Sequence, residues 1–251
     1  MGTGQQALLM GAASATTPSG IPNIWEWWEP SRQGGLSNND PFSTLTGQAN
    51  GRDLTASGSS APIYNTNILN SLAVATLTPT TNIKYFVFSV APTSLTATQA
   101  FFVLKAASDP ASGTHNEGVL HDLSGSGSNS HYPYTDGTIY DGFGSATRST
   151  VGDPTPSLAA WRVYEVVSTG TGPSGNFIAR LDGTQIFHSA TGNTVGWGGG
   201  TKHIGASNYD SLAAGWSGQI AGMYFYSAEL SAGNRTLQIN YINTRFGLSS
   251  S

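Results

Sequence analysis

Asn176-Phe177-Ile178-Ala179-Arg180-Leu181-Asp182-Gly183-Thr184-Gln185-Ile186-Phe187-His188 decides the fold class. Phe177, Ala179 and Leu181 alternate with Ile178 and Arg180, the two-residue period of a β-strand. Asp182-Gly183 follows, a dipeptide whose backbone accepts positive φ at both positions and so closes a type I′ turn, and Thr184 to Phe187 runs back. The segment is a hairpin, and a hairpin needs a sheet to join.

The flanking chain supplies one. Trp161 to Val167 leads into the hairpin, and Lys202 to Gly205 and Gly218 to Tyr226 follow it. Upstream, Asn67 to Leu77 reads as a strand pair and Ile83 to Val90 as a strand. Ala100 to Ala106 is apolar enough to be buried on both faces. A short strand is expected at Asp53-Leu54-Thr55 and another over Asn116 to His121, whereas residues 31–62 and 122–158 otherwise read as loops. Ser231 has the chemistry of a helix N-cap and Gly247 that of a helix stop. Between them Ile239, Ile242 and Phe246 share one face, with Leu237 and Tyr241 on the other. The predicted fold is all-β: a two-sheet antiparallel jelly-roll sandwich with one short C-terminal helix.

Composition agrees. Only 10% of the 251 residues are charged, against about a quarter in ordinary globular chains. The 32 glycines disfavour helices. A formal charge of −4 gives no electrostatic reason to bind nucleic acid or an anionic membrane. With no cysteine, disulfides, thiolate metal sites and a cysteine nucleophile are excluded. The N-terminal stretch carries no positive charge before Arg32, unlike a secretory leader, so none is expected.

Residues 1–20 hold little to bury beyond Leu8, Leu9 and Met10. They are expected to form a flexible arm, ordered by docking those three side chains on a neighbouring subunit, with residues 21–251 as the single domain. Trp25, Trp27 and Trp28 stand within four positions; simple alternation puts Trp25 and Trp27 on one strand face. They are either core or a sugar-stacking platform.

Motifs of catalysis are weak. Gly170-x-Gly172-x-x-Gly175 matches a dinucleotide fingerprint by letters, but it lies between strands and contains Pro173, so it reads as a loop. Gly215-Trp216-Ser217-Gly218 misses a nucleophile elbow by one position. His115 and His121 are too loosely placed to define a metal site. Glu165 has no acidic neighbour at i+2 or i+4, so no strand offers paired carboxylates for glycoside cleavage. Carboxylates converging from loops would come from Glu117, Asp122, Asp136 and Asp141. The most informative loop is 131–144, where His131, Tyr132, Tyr134, Asp136, Tyr140 and Asp141 can stack on a sugar and hydrogen-bond its hydroxyls, Trp197 joining them. An acid there is also available for Ca²⁺, although nothing else argues for a cofactor. The same tyrosines could instead pin a long loop to the sandwich.

Trp216 to Ser231, with its aromatic, Gly218, Ile220-Ala221 and Leu230-Ser231, resembles the closing strand of concanavalin A-like lectin/glucanase domains of the laminin-G type. Asn240 to Leu248 resembles that family's final helix, Leu181-Asp182-Gly183 its hairpin, and residues 45–64 its early loop. The match is piecewise over 21–248. It departs at Leu45-Thr46-Gly47, where the family commonly carries Trp-x-Asp. Residues 131–144 and 25–30 are also similar to versions found in bacteriophage structural proteins. The resemblance implies a non-enzymatic virion protein of capsid or tail. Its partners would be other virion subunits, in a homo-oligomer or many copies, and host glycans. A carbohydrate-binding module or adhesin outside a virion is the second reading, and a glycan-cleaving enzyme the third.

Overall fold

A computed structural model describes residues 17–56, 58–78, 82–110, 118–124, 130–207 and 215–249. Leu8, Leu9, Met10, His115 and Glu117 lie outside the described residues. The strands are β1 (Ile24–Trp28), β2 (Thr44–Leu45), β3 (Leu54–Thr55), β4 (Ile63–Leu69), β5 (Leu72–Leu77), β6 (Phe86–Phe88) and β7 (Thr98–Ala106). They continue with β8 (Ile139–Asp141), β9 (Ser149–Gly152), β10 (Arg162–Thr169), β11 (Asn176–Leu181), β12 (Thr184–Ser189), β13 (His203–Ile204) and β14 (Gly218–Tyr226), followed by helix α1 (Ala232–Phe246).

One large sheet runs in the order β12-β11-β10-β7-β14-β5-β4, with β1 also pairing with β14. A smaller sheet, β13-β6-β3-β2, and a two-stranded ribbon, β8-β9, lie apart from it. Every pairing of these strands is antiparallel. The chain is an all-β sandwich with one short C-terminal helix, as its alternation predicts.

Strand β7 shows how the layers are built. Ala100, Phe102 and Leu104 enter the core that also holds Leu54, Phe86 and Phe88 of the small sheet. Phe101 and Val103 point the other way, into a second core closed by Ile239, Ile242 and Phe246 of the helix. A strand buried on both faces has no polar side to present, hence its unbroken apolar sequence.

The hairpin turn is as read: Asp182 and Gly183 have φ of 50° and 88°. A second positive-φ pair, Asn70 and Ser71, joins β4 to β5. The Gly170–Gly175 segment is the connection between β10 and β11, with a 3₁₀ turn at Gly172–Ser174. The strand expected over Ile83–Val90 is only three residues long, because each partner beside it, β3 and β13, contributes two residues to the ladder. The Ser231 hydroxyl accepts the Asn234 N–H, and Gly247 ends the helix at φ 65°.

Two expectations are corrected. A register shift between Ile24 and Glu26 breaks the alternation of β1. Trp25 and Trp28 therefore meet in the main core, while Trp27 faces the helix and stacks on Tyr224. All three are core residues. The bulge also buries Glu26, whose carboxylate accepts the backbone N–H groups of Trp27, Ala49, Asn50 and Arg52. Within residues 17–20, grouped with the arm by composition, Pro18 is buried and the Ser19 hydroxyl accepts the Trp27 indole N–H at 3.0 Å.

Candidate functional site

The 131–144 loop becomes a ribbon. Ile139 pairs with Gly152 and Tyr140 with Thr150, while Tyr140 also bridges back to His131. Within the strand, Tyr140 and Asp141 turn to opposite sides, and the bend after Tyr132 separates it from Tyr134, so the predicted site residues fall into two groups.

Tyr132 and Asp141 face inward. The Tyr132 ring is wholly buried against Tyr164, and its hydroxyl has no hydrogen-bond partner among the described residues. Burial, with Asp182 nearby, pushes that hydroxyl well above the usual tyrosine range. Asp141 accepts the Phe143 N–H at 2.6 Å, the Ser130 hydroxyl at 3.4 Å and the Tyr164 hydroxyl at 3.0 Å. The His121 ring lies 3.5 Å from the same carboxylate and stacks on Phe102. Surrounded by donors, Asp141 serves as an interior acceptor. His131 is also buried, its Nδ1–H donating to the Gly118 carbonyl at 2.8 Å.

Tyr134, Asp136 and Tyr140 face outward and form a ledge. Tyr134 is 38% exposed, and its ring meets His131 at 4.5 Å and Tyr140 at 5.8 Å, both edge-on. The Asp136 carboxylate accepts the Thr138 N–H at 3.0 Å and the Tyr140 hydroxyl at 3.1 Å. Partial burial alone would raise its pKa, but those hydrogen bonds outweigh it and hold the acid below its ordinary value. Donation to Asp136 raises the Tyr140 hydroxyl in turn. The Arg148 guanidinium lies 5.0 Å above the Tyr140 ring. Together these contacts give a rigid amphipathic surface with one acid kept ionised.

Trp197 stands elsewhere. Its N–H donates to the Leu95 carbonyl at 2.9 Å and its ring packs on Phe143. Its work here is to tie a loop to the core.

Beside the ledge lies a cleft of about 560 Å³, which sequence reasoning missed. The segment after β9 and the tip of the β11–β12 hairpin form it. Val151, Pro154 and Ile186 give it apolar walls; Asp153, Arg162 and Asp182 give it charge. Arg162 donates from Nη1 to Asp182 at 2.9 Å and from Nε to the Ser157 carbonyl at 3.0 Å. The other oxygen of Asp182 accepts the Val163 N–H. Asp-Gly is legible as a turn; nothing in it says that the aspartate also builds a cleft wall with an arginine twenty residues earlier.

The remaining acids are structural. Glu165 accepts from Gln99, Arg180 and Arg235, and Asp122 accepts the His203 N–H at 3.1 Å. Asp136 is exposed and Asp141 buried, so these two loop acids do not converge. Among the described residues no group of three or more His, Cys, Asp or Glu side chains could hold a metal ion. No described helix is long and apolar enough to cross a membrane.

No protein-family model and no curated protein sequence matches the chain. Its fold does match solved structures. The botulinum neurotoxin serotype D binding domain superposes with a TM-score of 0.56 at 12% identity, over 88% of this chain and 51% of that one. A botulinum neurotoxin type C structure gives 0.51 at 11% identity, over 82% and 50%. Trypanosoma rangeli sialidase gives 0.52 at 11% identity, over 89% and 33%. The chain thus spans about half of the neurotoxin domains and a third of the sialidase. At such identity the likeness is one of fold.

Proposed function

We propose that this chain is a non-enzymatic carbohydrate-binding module, with the ledge and the adjoining cleft as its site. The observation that carries this reading is the pair of exposed Tyr134 and half-buried Tyr140, held edge-on beside the Asp136 carboxylate. Aromatic rings offer a face to the C–H side of a sugar, and a fixed carboxylate accepts its hydroxyls. The fold-level neighbours include botulinum neurotoxin type C, whose cell entry depends on interaction with two ganglioside molecules. Glycoside cleavage is disfavoured because it needs a carboxylic acid kept protonated beside a second carboxylate. On the ledge the one acid is held below its ordinary pKa, and Glu165 is committed to arginines. A glycan array tests the reading: the protein captures a defined set of glycans, Tyr134→Ala weakens the capture, and no reducing ends are released from the bound sugars. Binding unchanged in Tyr134→Ala refutes the site.

For its setting, we propose a bacteriophage particle, present in many copies, with host glycans as the sugar partner. This rests on the similarity of residues 25–30 and 131–144 to phage structural proteins and on the uncharged segment carrying Leu8, Leu9 and Met10. Mass spectrometry of purified virions tests it. Removal of residues 2–16 should lower incorporation while leaving the melting temperature of the domain unchanged.

A further inference from the structure

We infer that the ledge and the cleft together hold one oligosaccharide of uncharged sugars, a first unit on Tyr134 and Tyr140 and the next against Asp153. The inference rests on the carbohydrate-binding reading and adds to it the class and length of the ligand.

Continuity comes first. Tyr134 and Thr138 close the turn of the ribbon, with the Tyr134 N–H donating to the Thr138 carbonyl at 2.9 Å. Gly137 sits inside that turn at φ 82°, and a Cβ placed on it would lie 3.2 Å from the Asp153 carboxylate. Asp153 lines the cleft. It thus stands between the two surfaces, so a chain of sugars leaving the ledge reaches the cleft at this carboxylate. The cleft's volume falls within the roughly 300–1,000 Å³ of small-ligand pockets. Val151, Pro154 and Ile186 suit the apolar face of a pyranose ring.

Charge selects the class. Asp182 spends one oxygen on Arg162 and the other on the backbone, and Arg162 spends two donors in return. Asp153 is exposed and makes no hydrogen bond among the described residues. It is the carboxylate left to accept hydroxyl groups from a ligand. Counting Asp136, Asp153 and Asp182 against Arg148 and Arg162, the combined surface carries one net negative charge. A carboxylate-bearing sugar placed against Asp153 therefore meets like charge, whereas a neutral sugar donates two hydroxyls to it.

The test uses two matched series, glucose and galactose oligosaccharides of one to three units, each paired with its uronic-acid counterpart, titrated calorimetrically at low salt. Neutral members should bind about tenfold more tightly than their uronic partners, and trisaccharides about tenfold more tightly than monosaccharides. Asp153→Asn keeps an acceptor and removes the charge, so it should bring the two series within about twofold of each other. Tyr134→Ala should remove the gain with length. Equal or tighter binding of the uronic series, or length independence in the unaltered protein, overturns the inference while leaving the module a sugar binder. If neither series binds and a broad glycan array is also blank, the carbohydrate-binding reading itself falls. Both side chains are exposed, and unaltered melting temperatures will confirm that the variants fold.

Discussion

The carboxylate of Glu165, in the middle of the large sheet, is gripped by the guanidinium of Arg235 on the helix at 2.7 and 2.9 Å. Arg180 and Gln99 reach the same group from within the sheet. A second buried carboxylate, Glu29, holds the far end of the helix through Tyr241 and Arg245. The helix is thus pinned at both ends by acids that the apolar core would otherwise reject.

Breaking one pin should be costly. Glu165→Ala strands Arg180 and Arg235 and is expected to lower stability by about 3–5 kcal/mol in urea unfolding. Arg235→Ala leaves Arg180 and Gln99 in place and should cost less. Equal costs for the two would mean that Arg180 does not share the charge.

Tyr132→Phe should do the opposite. It keeps the buried ring and removes a hydroxyl that lacks a hydrogen-bond partner among the described residues, so stability should rise by about 1 kcal/mol. Sugar binding should not change, because the ring is wholly buried. A drop in melting temperature would show that the hydroxyl is satisfied after all.

Alkaline pH should loosen the helix pin at Glu29. The Tyr241 hydroxyl is pushed up to about 12, by burial first and then by the Glu29 carboxylate that it donates to. A tyrosine in the unfolded chain titrates near about 10. Between these values the folded state binds the extra proton, so the stabilising contribution is whole below the lower pH and lost as pH rises through the upper one. Tyr132, Tyr164 and Tyr224, all raised by burial, act in the same direction. Urea unfolding followed by circular dichroism across this range should show falling stability, with a shallower fall in Tyr241→Phe. A flat profile would contradict the assignment.

Gly183→Ala should cost about 1 kcal/mol, since a Cβ is disfavoured at φ 88° even though the space around it is open. Because Asp182 in the same turn holds Arg162, the substitution should also weaken sugar binding in the cleft. Loss of stability with unchanged affinity would separate the turn from the site.

Much of this architecture was legible in the sequence, because strands and turns are local. The alternation around Phe177, the Asp182-Gly183 pair, the apolar run through Phe101 and Phe102 and the Ser231 and Gly247 caps each express a backbone preference over a few residues. Such preferences carried the sheet-and-helix reading. Tertiary structure decided the rest. The bulge that sends Trp25 and Trp28 into the main core and Trp27 into the core beneath the helix depends on pairing with β14 and on the loop that wraps Glu26. Tyr132 and Tyr134 stand two residues apart and look alike in sequence, yet a bend of the ribbon makes one core and the other surface. The cleft joins Asp153, Arg162 and Asp182 from three segments, and no local rule brings those together. Short-range backbone energetics chose the elements; burial, which acts between segments distant in the chain, chose which side chains were left at the surface.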